Sequence, residues 1–230
     1  MGTFIQLTTA DGLQFPAYVA HPVGTPKGGV VVLQEIFGVN AHIRAVAEGY
    51  AAEGYLAIAP STFHRVKQGV ELGYTPEDVA AGVALKAAVE ALPAPGALQD
   101  VQSAVVEAAK AGKVAVVGYC WGGLLAWRAA CTLSGISAAV PYYGGGMTTP
   151  LEITRQPHCL VLAHFGDQDL SISMDSVRAF EAAQPTVQVA VLQGCITLTG
   201  QVAWPWQKPL ILDTLRLLPG VQGLTDAMQV

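Results

Sequence analysis

The residues best suited to chemistry lie in the segment 113–127 (KVAVVGYCWGGLLAW). Cys120 stands between Gly118 and Gly122, each two positions away. A thiolate is a strong nucleophile, and flanking glycines allow a sharp backbone turn on which elements before and after the cysteine pass close together. The spacing therefore predicts a nucleophilic cysteine held on a strained turn.

The elements on either side of Cys120 support this interpretation. The apolar, β-branched run Val114–Tyr119 predicts a buried strand, and a helix is expected from Trp121 to about Leu133. A Gly-x-nucleophile-x-Gly turn between strand and helix is the nucleophile elbow of the α/β-hydrolase fold, with Cys in place of the usual Ser. We expect the thiol to stand at the carboxyl end of the sheet, where the helix N-terminus lowers its pKa.

The remainder of the chain alternates between strand and helix patterns. Strands are predicted at 4–8, 15–20, 29–36, 55–59, 114–119, 138–142, 159–165 and 187–192, and helices at about 41–52 (capped by Asn40), 76–92, 97–111, 121–133 and 173–183. This order predicts one α/β-hydrolase domain over residues 1–230, with a mostly parallel central sheet and helices on both faces. The part after about residue 190 is atypical of that fold.

Composition and charge narrow the possible partners. The net charge of −5 and the scattered basic residues argue against nucleic-acid binding, and no apolar run is long enough to span a membrane. The first residues lack a secretory-signal pattern. Four distant cysteines suggest neither a zinc site nor a disulfide framework (Cys120, Cys131, Cys159, Cys195). We expect a cytoplasmic monomer that needs no metal or cofactor and acts on a small molecule.

Four segments, taken together, resemble the dienelactone hydrolase (carboxymethylenebutenolidase-like) family. They are 33–40 (LQEIFGVN), 116–123 (VVGYCWGG), 142–145 (YYGG) and 164–169 (HFGDQD), in the order and spacing of that family. The resemblance covers roughly residues 1–189. It implies a Cys-His-Asp triad that opens esters or lactones through an acyl-enzyme.

The resemblance also implies roles for particular residues. Cys120 matches the nucleophile, Asp169 the carboxylate that orients the histidine, and Glu35 the acid that contacts the resting cysteine and controls its ionisation. The backbone N–H groups of Ile36 and Trp121 match the oxyanion hole. One such donor contributes about 3 kcal/mol in the transition state.

Further residues are expected around the substrate. Arg65 falls where the family keeps an arginine for the substrate carboxylate, and Tyr143 and Trp121 are expected to line the pocket. Alternatives remain at each position. Asp169 could serve as a helix cap while Asp167 acts as the triad acid, Arg65 could be a solvated loop residue, and the aromatic rings could belong to the core.

The triad lacks its general base. In this fold the histidine follows the last strand, but residues 189–200 contain no histidine. All five histidines come earlier (His21, His42, His64, His158, His164). His164 matches a family position without a catalytic role, and His42 and His64 are the two that loops could bring to the site.

Two explanations for the missing histidine are considered. One is a genuine loss, and the other is a shift of reading frame near residue 190. Back-translation with suitable codons and a moved frame gives a Gly-Leu-His-His segment, and Pro205 and Pro209 are expected to break the closing helix of the fold.

These observations lead to two main functional hypotheses. The first is hydrolysis of a small carboxylic ester or lactone by Cys120, impaired in deacylation. The second is a non-catalytic relative that binds small carboxylates. A thiol redox function is disfavoured because no resolving cysteine lies near Cys120 in the sequence.

Overall fold

The computed structural model describes residues 2–184, 187–193, 195–202, 204–216 and 220–230. Within them the chain forms two compact units, Met1–Ser173 and Met174–Val230. The first unit contains the strands β1 (Thr3–Thr8), β2 (Gln14–Ala20), β3 (Gly29–Leu33), β4 (Leu56–Pro60), β5 (Val114–Tyr119), β6 (Ile136–Tyr142) and β7 (Leu160–Val161). Its helices are α1 (Ala41–Ala52), α2 (Pro76–Glu90), α3 (Leu98–Ala108) and α4 (Trp121–Thr132).

The seven strands form one sheet in the order β1-β2-β4-β3-β5-β6-β7. The pairings from β4 through β3, β5 and β6 to β7 are parallel, and β2 is antiparallel to both β1 and β4. β3 and β5 are central, and their carboxyl ends lie side by side because Leu33 pairs with Gly118. The segments after these two strands, which hold Glu35 and Cys120, therefore start from neighbouring points on the sheet edge.

Helices cover both faces of this sheet. On one face, Ile43, Ala47 and Ala51 of α1 pack into a buried apolar cluster with residues of β2, β3, β4 and β5. On the other, α3 and α4 pack against β3 and β5 and against each other. The predicted α/β architecture of this part is confirmed, and so is the cap of α1, where the Asn40 side chain accepts the backbone N–H of Ile43 at 3.2 Å.

Two predicted strands are shorter in the structure. The strand predicted over 29–36 ends at Leu33, so Glu35 and Ile36 lie in the following loop. The strand predicted over 159–165 is reduced to Leu160–Val161, after which His164 makes only an isolated bridge with Tyr142. Both segments leave the sheet at the carboxyl ends of their strands. The backbone groups of the following loops are therefore free to form a site.

The second unit contains α5 (Met174–Ala183), β8 (Val187–Leu192), β9 (Cys195–Gln201), α6 (Gln207–Arg216) and β10 (Gly223–Gln229). Its three strands form a separate sheet in the order β10-β9-β8, with β8 and β9 antiparallel and β9 and β10 parallel. Four buried side chains form its apolar cluster: Ile196, Leu198, Val202 and Met228. The structure therefore differs from the predicted single domain over residues 1–230, because the apolar residues of the tail pack with one another.

The expectation that proline breaks any helix in the tail is wrong. Pro209 is the third residue of α6, and Pro205 precedes the helix. Backbone N–H groups in the first turn of a helix have no acceptor within that helix, so proline removes no hydrogen bond there. The side chain of Gln207 accepts the backbone N–H of Trp204 at 2.9 Å and closes this turn.

Candidate active site

The backbone at Cys120 has the strained geometry predicted for a nucleophile elbow. Its φ is 55° and its ψ −118°, values that a residue with a side chain rarely adopts. A Cβ at Gly118 would lie 1.9 Å from the carbonyl oxygen of Gly122, and a Cβ at Gly122 would lie 2.4 Å from that of Leu33. Only glycine permits this contact between β5, α4 and the end of β3.

Several groups surround the thiol of Cys120. Burial raises its pKa, and the negative charges of Glu35 and Asp169 raise it further, whereas the backbone N–H of Trp121 and the charge of Lys86 lower it. The net direction is upward, so the expectation that the helix N-terminus leaves a low-pKa thiol is wrong. The desolvation of a half-buried thiol outweighs one favourable backbone contact.

Glu35 lies in the loop after β3, between two tyrosine hydroxyl groups. Its Oε1 accepts from Tyr143 and its Oε2 from Tyr74, each at 3.4 Å. Burial and the charge of Glu35 raise the pKa of Tyr143 to about 12, so this phenol stays protonated and acts as a donor. Tyr143 itself has a positive φ of 38°, and its backbone N–H donates to the carbonyl of His164 at 2.7 Å.

Ile36 and Trp121, the predicted oxyanion-hole residues, follow β3 and β5 on neighbouring strands. The backbone of Ile36 is packed against α2, where a Cβ at Gly82 would lie 2.4 Å from its carbonyl oxygen. The indole of Trp121 is fully buried and stacks on Phe63 with ring centroids 4.9 Å apart. The Trp121 side chain therefore belongs to the core and does not line a pocket.

Asp169 lies in the loop after β7, close enough to Cys120 for its charge to raise the pKa of the thiol. Its Oδ1 accepts the backbone N–H groups of Ser171 at 2.7 Å and Ile172 at 3.1 Å. This carboxylate thus closes a local turn in the loop ahead of α5, which begins at Met174. Asp167, the other candidate acid, is exposed.

The structure does not support Arg65 as a residue for the substrate carboxylate. All three of its guanidinium nitrogens bind carboxylates: Nε and Nη2 contact Asp100 at 2.9 Å, and Nη1 contacts Asp11 at 2.8 Å. Asp100 is fully buried. A buried carboxylate without this cation would be costly, so the guanidinium is needed where it is.

Three histidines of the first unit are the candidates for a base at Cys120. The exposed ring of His164 stacks on Tyr142, with centroids 4.5 Å apart. His42 is exposed on α1, and His64 lies in the turn after β4 with a buried Nδ1 for which the described residues provide no partner. None of the three has a hydrogen bond or ion pair with Cys120, Glu35 or Asp169 among the contacts of the described residues.

Sequence reasoning missed two contributors to the site, Tyr74 and Lys86. Tyr74 packs edge-on against Phe37, with centroids 4.6 Å apart, while its hydroxyl reaches Glu35. Lys86 lies on α2, four residues after Gly82. A glycine inside a predicted helix marks a close backbone approach, and this signal could have placed α2 over the site.

The described residues contain one further feature of a possible binding site. A cavity of about 480 Å³ lies between β1 and α3, and none of the predicted site residues lines it. No described cluster of three or more His, Cys, Asp or Glu side chains is arranged to hold a metal ion. Among the described helices, none combines the length and apolar character needed to cross a membrane.

The tail of the chain is similar to a second family of domains. Residues 170–230 match the family model of the BON domain. A shifted reading frame encodes an unrelated sequence. Such a sequence is not expected to match a domain family or to form a packed apolar core. This match argues against a reading-frame shift near residue 190, which stays an untested hypothesis.

The larger part of the chain is similar to known hydrolases. A carboxymethylenebutenolidase-type protein of Synechocystis sp. is 36% identical over 193 residues, which cover 78% of this chain and 77% of that protein. The carboxymethylenebutenolidase of Pseudomonas putida is 31% identical over 192 residues and 80% of each chain. A dienelactone hydrolase-type crystal structure from Klebsiella pneumoniae superimposes with a TM-score of 0.66 at 30% identity, over 80% of this chain and 79% of that chain.

Most of the matched residues lie in the unit that contains the elbow, and the match continues over residues 174–195 of the second unit. Residues 15–195 match the family model of the dienelactone hydrolase family and include Glu35, Cys120 and Asp169. The α/β-hydrolase fold predicted from the elbow is confirmed by the solved structure. With its elbow, its sheet and its relatives in agreement, the chain belongs to the dienelactone hydrolase family of carboxylic ester hydrolases.

Proposed function

We propose that Cys120 attacks the carbonyl carbon of a small ester or unsaturated lactone and forms a thioester acyl-enzyme. The observation that carries this proposal is the elbow, with a φ of 55° at Cys120 and glycines on which no Cβ fits. The strain is retained although the chain gains no stability from it, as is typical of functional sites.

Glu35 is the group proposed to receive the thiol proton. Its carboxylate is held between Tyr74 and Tyr143, and its charge acts directly on the thiol of Cys120. Attack forms the sulfur–carbon bond and places negative charge on the carbonyl oxygen, which the backbone N–H groups of Ile36 and Trp121 would stabilise. Collapse of this intermediate expels the alcohol or enolate oxygen and leaves the acyl group on sulfur.

Hydrolysis of the acyl-enzyme is the slow step of this mechanism. No histidine follows residue 164, so water lacks the imidazole that would deprotonate it. Loss of one triad member lowers kcat by about four powers of ten or more in other hydrolases. We therefore expect rapid acylation followed by very slow turnover.

The substrate class proposed is a small ester or lactone that carries a carboxylate. Carboxymethylenebutenolidase, the name of the Pseudomonas putida relative, describes an enzyme acting on a butenolide with a carboxymethylene group. A soluble small-molecule substrate fits a site formed by loops at a sheet edge. We further propose that the chain acts as a monomer in the cytoplasm.

The test is release of 4-nitrophenol from 4-nitrophenyl acetate by the chain and by its Cys120→Ala variant. The expected result is a burst of about one equivalent per chain, absent in the variant, followed by slow release. Mass spectrometry should find the acetyl group on Cys120. Release that is the same in both proteins would refute the cysteine mechanism.

The missing histidine favours one alternative function, a protein that binds small carboxylates without turnover. In that case no burst is seen, but a carboxylate ligand protects Cys120 from alkylation. The burst experiment and the protection experiment together separate the two functions.

We also propose that residues 174–230 form a second, BON-type domain that unfolds separately. Its apolar cluster includes Leu198, which is fully buried, and Met228. Leu198→Ala should destabilise this unit by about 2 to 5 kcal/mol because it leaves a cavity. Calorimetry should show one of two transitions moving, with the alkylation rate of Cys120 unchanged. A single transition that moves as a whole would contradict the proposal.

A further inference from the structure

The helix α2 passes along the candidate site and contacts it at three points. Just before the helix, Tyr74 donates to Glu35 at 3.4 Å. Gly82 packs against the backbone of Ile36, and Glu90 at the other end accepts the indole N–H of Trp121 at 2.9 Å. The helix therefore extends from the acid of the site to the residue after the nucleophile.

Lys86 lies halfway along this face of α2. It is four residues after Gly82 and four before Glu90, and residues spaced by four lie on one side of a helix. Its positive charge acts on both Cys120 and Glu90. It is only partly exposed, as expected for a side chain that lies along the protein surface.

The other basic residues are less suited to serve the site. Within the described residues, nine of the twelve Lys and Arg side chains bind a carboxylate or a backbone carbonyl, including Arg65. Lys113 immediately precedes β5 at the opposite end of the sheet from Cys120, and Lys67 lies on an exposed loop. The charge of Lys86, by contrast, acts on the thiol of Cys120.

We propose that Lys86 binds the carboxylate of the substrate and so makes the site selective for anionic esters and lactones. This inference rests on the proposed function and assigns the role expected of Arg65 to a different residue. The negative charges of Glu35 and Asp169 act on the thiol of Cys120, so they would repel an anionic substrate without a compensating cation. Lys86 provides that charge from the helix over the elbow.

The test compares two alkylating reagents that differ in charge. Iodoacetate is anionic and iodoacetamide is neutral, and each forms a sulfur–carbon bond with the thiolate of Cys120 while iodide leaves. Ionisation of the thiol affects both rates equally, so their ratio reports attraction of the anion. A Cys195→Ser background removes the exposed cysteine, since Cys131 and Cys159 are buried.

Lys86→Met should lower the iodoacetate-to-iodoacetamide ratio about threefold to tenfold at low salt, because one nearby charge is lost. Lys86→Glu should lower it further, and Lys86→Arg should preserve it. Lys67→Met is the matched control and should leave it unchanged. An equal ratio in the Lys86→Met and Lys67→Met proteins would overturn the proposal, as would a wild-type ratio that does not fall with added salt.

Ester kinetics separate this inference from the proposed function. Loss of the Lys86 charge raises the pKa of the thiol for both substrates, so both bursts should slow somewhat in Lys86→Met. The burst with 4-acetoxybenzoate, which is anionic, should slow about threefold to tenfold more than the burst with the neutral methyl ester of that compound. Equal slowing of both bursts would reject the role of Lys86 and leave the cysteine mechanism intact. Bursts that persist in Cys120→Ala would reject the cysteine mechanism. The ratio of the iodoacetate and iodoacetamide rates would still test whether Lys86 attracts anions.

Discussion

The indole nitrogen of Trp121 donates to the carboxylate of Glu90 at 2.9 Å, which ties the residue after the nucleophile to α2. The other oxygen of Glu90 binds Arg128 at 2.7 Å, and Arg128 also binds the buried Glu152 at 2.8 Å. This chain of contacts fixes α4, and with it the elbow, relative to the helix that carries Lys86.

Glu90→Ala should therefore lower the free energy of unfolding by about 1 to 3 kcal/mol, because a buried indole N–H and an arginine both lose an acceptor. Urea unfolding measures this change. Glu107→Ala removes a surface pair with Lys110 and is expected to have almost no effect. Equal effects of the two substitutions would contradict the structural role of Glu90.

Gly122→Ala should lower the free energy of unfolding by about 2 to 4 kcal/mol and abolish the burst. The added Cβ would lie 2.4 and 2.5 Å from the carbonyl oxygens of Leu33 and Gln34, so β3 and α4 must separate. Gly49→Ala on the exposed side of α1 meets no atom within 4 Å and should instead stabilise the protein by about 0.5 to 1 kcal/mol. Calorimetry of the two variants measures both changes in stability, which should have opposite signs.

The reactivity of Cys120 should depend on pH in a way set by its neighbours. Because burial and the charge of Glu35 raise the pKa of this thiol, its alkylation by iodoacetamide should rise with pH through a midpoint above that of a free cysteine. Glu35→Gln removes a negative charge and should lower the midpoint, whereas the exposed Glu53→Gln should not. An unchanged or higher midpoint in Glu35→Gln would be inconsistent with an effect of the Glu35 charge on the thiol.

The buried pair of Asp100 and Arg65 predicts a pH dependence of stability. Burial raises the pKa of Asp100 to about 6, whereas Arg65 opposes this shift and lowers the pKa of Asp11. Between about pH 4 and pH 6 the folded protein keeps a proton on Asp100 that the unfolded chain has released, so the free energy of unfolding falls as pH rises.

Asp100→Asn should remove this dependence. The stability of the wild type relative to the variant is expected to fall by about 2 kcal/mol between pH 4 and pH 6, since the shift is about two pKa units and part of the change lies outside this range. Urea unfolding at several pH values measures it, with Asp213→Asn as an exposed control. Parallel pH profiles of the wild type and Asp100→Asn would show that the carboxyl group titrates normally.

The sequence alone determined the elements that local patterns specify. The strand and helix around Cys120, the two elbow glycines and the cap at Asn40 are encoded within a few residues, so spacing was sufficient to predict them. Glu35 was expected inside the strand predicted over 29–36, whereas the strand ends at Leu33 and Glu35 lies in the loop that follows.

Only the tertiary structure decided which distant groups meet. Arg65 binds Asp11 and Asp100, and α2 brings Lys86 close enough for its charge to act on Cys120. These interactions join segments separated by tens of residues. The net rise in the pKa of Cys120 likewise depends on burial, which a local motif does not reveal. In the tail, Ile196 and Met228 pack into a core of their own, and this long-range pairing distinguishes a folded unit from the irregular end that its prolines suggested.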